Sequence, residues 1–127
     1  MSLAGARLVA FAATCDLDAS HAFYGGVLGL VRVDATAFAN VYDAGGSELR
    51  VTRVERVAAA PYTVLGWSVA DLGATVAALR ARGVAFHRFG GLEQDSDDAW
   101  TAPGGARIAW FPDPDANTLS LTQPAPG

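Results

Sequence analysis

The sequence has 127 residues, of which 51% are hydrophobic and 17% are charged, so it has enough apolar side chains for one compact domain and too little length for two ordinary ones. Nine basic residues, all of them arginine, stand against thirteen acidic ones, and the formal net charge of -4 disfavours binding to nucleic acid. The apolar runs are far shorter than the roughly 18 residues of a membrane-spanning helix, and no secretory signal is visible, so we expect no membrane partner and a cytoplasmic location. The single cysteine, Cys15, excludes an intrachain disulfide.

The first half of the chain predicts the order β-α-β-β-β. Apolar or alternating segments predict strands at 8–14, 31–33, 38–42 and 48–54. The turn residues at 43–46, Asp-Ala-Gly-Gly, predict a hairpin between the last two strands.

A helix is predicted after the first strand. Asp18 is its expected N-cap, and the helix is expected from about residue 19 to residue 28, before Gly29 ends it. The spacing i, i+4, i+7 predicts an apolar face made of Phe23, Val27 and Leu30.

The second half repeats this order after a connector at 55–62. A strand at 63–69 precedes a helix that opens at Asp71 and ends at Gly83, and its predicted apolar stripe is Leu72, Val76 and Leu79. Further strands are predicted at 84–89, 99–102, 107–111 and 118–122. The helix opening Asp16-Leu17-x-Ala19 returns 55 residues later as Asp71-Leu72-x-Ala74, which indicates an internal repeat.

These patterns predict an α+β fold in which two tandem β-α-β-β-β modules form a cupped, mostly antiparallel sheet around a central cavity. We expect one domain over residues 1–127, with module one at about 6–54, a linker at 55–62 and module two at about 63–123. Ligand pockets form preferentially where two modules face each other.

Two segments of the chain resemble known signatures: HAFYGGVLGL at 21–30 and FPDPDANTLSL at 111–121. They are similar to the "FY...vLGL" and "F.DPDGN.iEL" signatures of the vicinal oxygen chelate superfamily, which holds glyoxalase I, extradiol dioxygenases, fosfomycin resistance enzymes and bleomycin resistance proteins. The resemblance extends from Leu8 to Gln123 and implies the same paired-module fold. Ala116 stands where the signature has glycine, which puts the geometry of that turn in question.

The resemblance also identifies the four strand positions that hold a divalent metal in the enzymatic members. In this chain they are Val9, Arg50, Val64 and Ser120. Valine has no lone pair to donate, serine binds divalent metals weakly, and a guanidinium repels a cation. The residues next to these positions offer no ligand either. The nearest carboxylate, Glu48, lies two residues from Arg50 and would be a lone ligand. We therefore expect no metal and no cofactor.

If Arg50 points into the cavity, strand alternation places Glu48 and Thr52 on the same face and turns Leu49 and Val51 toward the helix. Arg50 then either binds an anionic or polar group of a ligand or forms an internal ion pair with Glu48.

By the same alternation Phe11 is a candidate pocket wall, and aromatic rings on the other strands are either ligand platforms or ordinary core. The candidate ligand-binding residues are Phe11, Tyr42, Glu48, Arg50, His87, Trp100, Trp110 and Ser120.

Two other clusters are weaker candidates. The acidic run at 93–98 beside His87 lacks the ligand spacing and glycine of a calcium loop, and we interpret it as a solvated loop. Cys15 and His21 lack a third orienting residue, which disfavours nucleophilic catalysis.

The leading hypothesis is a metal-free protein that binds a small organic ligand, similar to the drug-sequestering bleomycin resistance proteins. No catalytic residue is assigned. The alternatives are a glyoxalase-like lyase or dioxygenase-type enzyme, with or without a metal, and a non-catalytic structural or regulatory module. The resemblance also implies a homodimer, and the pairing of the modules within one chain or by exchange between two chains stays open.

Overall fold

A computed structural model describes the chain from Met1 to Gly127 and divides it into two compact units, Met1–Ala58 and Ala59–Gly127. Each unit has one four-stranded sheet, and helices are few. The predicted α+β class is confirmed.

The first unit has one four-stranded sheet and one short helix. Its elements are β1 (Val9–Thr14), α1 (Leu17–His21), which continues as a π-helical segment (Ala22–Val27), β2 (Val31–Ala35), β3 (Ala39–Ala44) and β4 (Ser47–Arg53). The sheet order is β1-β4-β3-β2, in which β1 and β4 are parallel and the other pairs are antiparallel.

The second unit repeats this topology. Its elements are β5 (Thr63–Ser68), α2 (Leu72–Ala81), β6 (Trp100–Thr101), β7 (Arg107–Pro112) and β8 (Thr118–Gln123). The sheet order is β5-β8-β7-β6, again with one parallel pair, β5 and β8, and two antiparallel pairs. Both sheets are mostly antiparallel, as the sequence predicts.

The strand predicted at 84–89 is wrong, because this segment is irregular. Its backbone makes one bond to the sheet, in which the His87 N–H donates to the Trp110 carbonyl at 2.8 Å. On the other side the Gln94 carboxamide bonds to the segment: Nε2 donates to the His87 carbonyl at 2.9 Å, and Oε1 accepts from the Phe89 N–H at 2.7 Å. A side chain thus satisfies groups that a neighbouring strand would otherwise pair.

Both helices begin with the same cap. The carboxylate of Asp16 accepts from the Ala19 N–H at 3.0 Å, and that of Asp71 accepts from the Ala74 N–H at 3.0 Å. The repeated Asp-Leu-x-Ala segment is therefore a repeated N-cap. The prediction of Asp18 as the cap of the first helix is wrong, because α1 begins two residues earlier and Asp18 lies in its first turn.

The buried face of the first helix also differs from the prediction. Ser20 and Tyr24 are fully buried, whereas Phe23, Val27 and Leu30 are only partly covered. The helix widens into a π-helix, in which the Leu28 N–H donates to the Phe23 carbonyl five residues earlier at 2.8 Å. This widening shifts the buried face away from the one that a regular α-helix would present.

The second helix matches its prediction. Leu72, Val76 and Leu79 are buried, and Gly83 follows the helix with a φ of 92° that favours glycine. Neither the length nor the hydropathy of any helical segment reaches what a membrane-spanning helix requires.

The side chains of β4 alternate between two faces, as predicted. Leu49 and Val51 are buried, while Glu48, Arg50 and Thr52 between and beside them are partly exposed. This side-chain period of two places the apolar pair on the α1 side of the sheet.

The π-helical segment packs through a close contact between a glycine and a histidine ring. A Cβ at Gly25 would lie 2.5 Å from Cε1 of His21. Nδ1 of His21 is 2.9 Å from the hydroxyl of the buried Tyr42, and the two rings stack with centroids 5.9 Å apart. Burial raises the pKa of the Tyr42 phenol, so this hydroxyl keeps its proton and can donate to Nδ1.

Two neighbouring glycines test this packing. Gly25→Ala should lower the free energy of unfolding by about 1 kcal/mol or more, because the methyl group displaces the His21 ring from Tyr42. Gly26→Ala is the matched control, since nothing lies within 4 Å of a Cβ there, and we expect it to be neutral or stabilising by about 0.5 to 1 kcal/mol. Urea denaturation measures both changes. Equal effects of the two substitutions would contradict the packing described.

Candidate ligand-binding site

In the first unit, the sheet face away from α1 carries an exposed aromatic ring beside a charged pair. Phe11 on β1 lies directly across from Arg50 on β4, and Val9 lies across from Glu48. The Phe11 side chain is 61% exposed. Three of the predicted site residues, Phe11, Glu48 and Arg50, therefore share one surface.

Arg50 and Glu48 form an ion pair on this surface. Nη1 of Arg50 lies 3.3 Å from Oε2 of Glu48, and the two side chains are 39% and 35% exposed. The ion pair foreseen as one alternative for Arg50 is thus present. An ion pair this accessible to water contributes little to stability, so a ligand can compete for Arg50 at low cost.

Tyr42 lies apart from these residues. It pairs across the sheet with Leu49 and is fully buried on the α1 side, where its hydroxyl contacts His21. The structure therefore places Tyr42 in the core of the first unit.

In the second unit, β7 and β8 bring two further candidates together. Trp110 on β7 lies across from Ser120 on β8, and Ser120 lies across from Gly66 on β5. A Cβ at Gly66 would lie 2.8 Å from Oγ of Ser120, so glycine leaves the space that this buried hydroxyl occupies.

Four aromatic rings form a continuous row in this unit. His87 and Phe89 have ring centroids 5.8 Å apart, and Phe89 meets Trp110 edge to face at 5.4 Å. Trp110 in turn lies 6.4 Å from Trp100. Three of the predicted site residues, His87, Trp100 and Trp110, are therefore neighbours, and Phe89 joins them.

A pocket of about 350 Å³ opens beside three of these rings, those of His87, Phe89 and Trp110, and we call it the aromatic pocket. The residues that line it are Pro61, Tyr62, Thr63, His87, Phe89, Leu92, Trp110 and Thr118. Nε1 of Trp110 donates to Oγ1 of Thr63 at 3.1 Å and so fixes the indole in the wall.

Of the residues that line this pocket, the sequence patterns identify His87 and Trp110 as candidates and miss most of the others. Tyr62 belongs to the connector at 55–62, which has no alternating strand pattern from which the direction of a side chain could be predicted. Tyr62 is 68% exposed. An aromatic residue that follows a proline in a connector is the signal in the sequence that could have drawn attention to it.

Three arginines form ion pairs with the acidic run at 93–98. Arg80 and Arg88 both pair with Asp98, and Arg107 bridges Asp95 and Asp97 at 2.7 and 3.1 Å. The acidic run is a loop, as predicted, and its Asp95 side chain is 43% exposed, but three of its carboxylates are also engaged by arginines.

The pair between Arg107 and Asp95 has a definite pH dependence. Partial burial alone would raise the pKa of Asp95, but hydrogen bonds from Arg107 and from the Ala99 and Asp97 backbone outweigh it and lower the pKa. The pair therefore stabilises the fold fully above the ordinary Asp pKa, and this contribution is lost as the pH falls through the lowered value.

The four strand positions that the resemblance assigns to metal ligands do not suit a metal here. Val9 and Val64 offer hydrocarbon, and the Arg50 guanidinium is held by Glu48, which compensates its charge. Ser120 is a single neutral hydroxyl. The structure contains no group of three or more His, Cys, Asp or Glu side chains arranged to hold a metal ion. This donor set does not fit a divalent cation.

Comparison with known families supports the fold. A model of the Glyoxalase/Bleomycin resistance protein/Dioxygenase superfamily matches residues 7–121. A comparison with curated protein sequences finds no match.

Several solved structures share the architecture. Lactoylglutathione lyase from Agrobacterium tumefaciens aligns with a TM-score of 0.73 and 18% identity, over 94% of this chain and 93% of that one. A glyoxalase family protein from Bacillus anthracis gives 0.74 and 13%, over 97% and 98%. A bleomycin resistance determinant encoded on the transposon Tn5 gives 0.72 and 20%, over 92% and 96%. At these identities the likeness shows a common fold.

The role of Gln94 in holding the pocket wall can be tested by hydrogen exchange. Gln94→Ala removes the acceptor of the Phe89 N–H and both donated bonds, to the carbonyls of His87 and Asp98. We expect the Phe89 amide to exchange at least tenfold faster, because an amide that loses its partner opens to water more readily.

Two controls accompany this experiment. The His87 amide bonds to β7 and should keep its protection, and Glu93→Gln, at the exposed neighbour of Gln94, should leave both amides unchanged. An unaltered Phe89 rate in Gln94→Ala would show that this side chain does not hold the wall.

Proposed function

The chain belongs to the Glyoxalase/Bleomycin resistance protein/Dioxygenase superfamily, and on that premise we propose that it binds a small organic molecule without a metal ion. The aromatic pocket is the observation that carries this proposal. The proposed activity is sequestration of the kind expected of a bleomycin resistance protein, and no catalytic residue is assigned.

The chemistry of the four family positions supports binding without a metal. Two valines, an arginine engaged with Glu48 and one buried serine stand where enzymatic members have ligands for the metal. These side chains offer neither a cation site nor a pair of free acid and base groups.

The size and lining of the aromatic pocket support a small organic ligand. Its volume of about 350 Å³ falls within the range of about 300 to 1,000 Å³ typical of ligand pockets. Aromatic walls with a few hydroxyl groups are the usual composition of such a pocket, because the rings supply contact area and the hydroxyls supply orientation.

Of the other predicted site residues, Trp100 extends the row of aromatic rings beyond the pocket. Phe11, Glu48 and Arg50 form a second surface, in the first unit. We add Trp100 and Ser120 to the binding region around the aromatic pocket of the second unit, and we propose Phe11, Glu48 and Arg50 as a separate candidate surface of the first unit. Tyr42 is left out of it because its ring and hydroxyl are buried in the core.

A homodimer in the cytoplasm completes the proposal. The first unit exposes several large apolar side chains, which are Leu8, Phe11, Val31, Val33 and Phe38. Exposed apolar surface of this kind is typical of a protein interface, and a second copy of the chain is the partner that the family resemblance implies.

A ligand screen on protein treated with EDTA tests the proposal. We expect a saturable site for at least one compound from a set of planar aromatic molecules and glycopeptides that includes bleomycin, measured by isothermal titration calorimetry. Affinity should not change when divalent metals are added, and the bound compound should be recovered unaltered.

Two exposed apolar side chains provide a variant and its control. Phe89→Ala, in the aromatic pocket, should weaken binding about tenfold, because loss of a ring contact costs roughly 1 to 1.5 kcal/mol. Leu3→Ala, at an exposed apolar side chain of the first unit, should leave the affinity unchanged. The proposal fails if no compound binds, if binding requires added metal, or if the compound is converted.

A further inference from the structure

We propose that the aromatic pocket selects an uncharged planar aromatic molecule and rejects a charged molecule of the same shape. This inference rests on the proposed binding function and adds the chemical class of the ligand.

The lining of the pocket carries no fixed charge. None of its residues is an aspartate, a glutamate, a lysine or an arginine, and the titratable side chains among them are those of Tyr62 and His87. An ion entering this space would lose hydration without meeting a counterion, and that desolvation is costly.

The charged groups nearest along the chain are turned elsewhere. Nε of Arg88, between His87 and Phe89, lies 2.8 Å from Asp98, and Nη2 of Arg88 donates to the Asp95 carbonyl at 2.8 Å. Glu93, next to Leu92, lines a different hollow together with Trp100. Neither side chain is among those that line the pocket, so neither supplies it with a counter-charge.

The rings favour a flat ligand. Phe89 stands nearly perpendicular to Trp110, at 85°, and its edge-to-face contact leaves parts of both ring faces uncovered by the other ring. The bond from Trp110 to Thr63 holds the indole, so little side-chain freedom is lost when a planar molecule stacks on it.

Two hydroxyls provide neutral polar recognition. Oγ1 of Thr63 accepts from Trp110, and the proton of this hydroxyl is left to donate. Oγ1 of Thr118 donates to the Ala60 carbonyl at 3.4 Å and keeps lone pairs that can accept. An amide, a hydroxyl or a carbonyl on the ligand can use these groups without carrying a charge.

Three probes of one shape test the proposal: 2-naphthamide, 2-naphthoate and 2-naphthylmethylammonium, titrated at pH 7 with calorimetric or tryptophan-fluorescence detection. We expect the neutral amide to bind at least tenfold more tightly than either ion. Trp110→Leu should weaken the amide at least tenfold, and Tyr62→Ala, at an exposed position, should weaken it several-fold even if Trp110→Leu fails to fold. Leu3→Ala, at an exposed apolar residue with no proposed role, is the control and should have no effect.

The other outcomes separate the two proposals. Tighter binding of either ion, or equal binding of all three probes, overturns the selectivity and leaves small-molecule binding intact. If none of the three binds while another compound of the screen does, the ligand class is wrong and the binding function stands. If nothing binds in either experiment, both proposals fail. If Tyr62→Ala instead dissociates a dimer and no probe binds, the pocket is covered by a second copy of the chain.

Discussion

The parallel pairing of the first and last strands of each unit determines which side chains lie on the sheet face away from the helix. β1 lies beside β4, and β5 lies beside β8, so residues directly across from one another point to the same face. The helix covers one face, and Leu49 and Val51 are buried there. The other face receives the intervening residues, and Arg50 beside Phe11 is the consequence in the first unit. A slip of one residue in this register would exchange the two sets.

The features that the sequence predicts correctly are those set by short-range rules. The stripe of Leu72, Val76 and Leu79, the stop at Gly83 and the alternation in β4 follow from helix and strand periods alone. The features it misses depend on contacts between distant residues. The π-helix accompanies a His21 ring packed over Gly25 and bonded to Tyr42, and the irregular segment at 84–89 is held by the side chain of Gln94. No local pattern encodes these contacts.

The candidate site residues divide in the same way, into those that strand patterns predict and those that they do not. Alternation brings Phe11, Glu48 and Arg50 to one surface, and register places Trp110 beside Ser120, so both groupings are accessible from strand patterns. The aromatic pocket also needs Tyr62 and Leu92, which come from segments without regular structure. Tyr42 shows the opposite error, because an aromatic residue on a strand can face either side and this one faces the core.

The proposed metal-free binding depends on the chemistry of four strand positions. With Val9, Arg50, Val64 and Ser120 in place of metal ligands, we propose that recognition relies on the ring contacts and neutral hydrogen bonds that the aromatic pocket offers. Elemental analysis of the purified protein, combined with thermal unfolding in the presence and absence of Ni²⁺, Zn²⁺, Mn²⁺ and Fe²⁺, tests this claim most directly. We predict no stoichiometric metal and no rise in Tm with any of the four ions. One metal ion per chain, or a clear rise in Tm, would contradict the account and restore a metal-dependent enzyme.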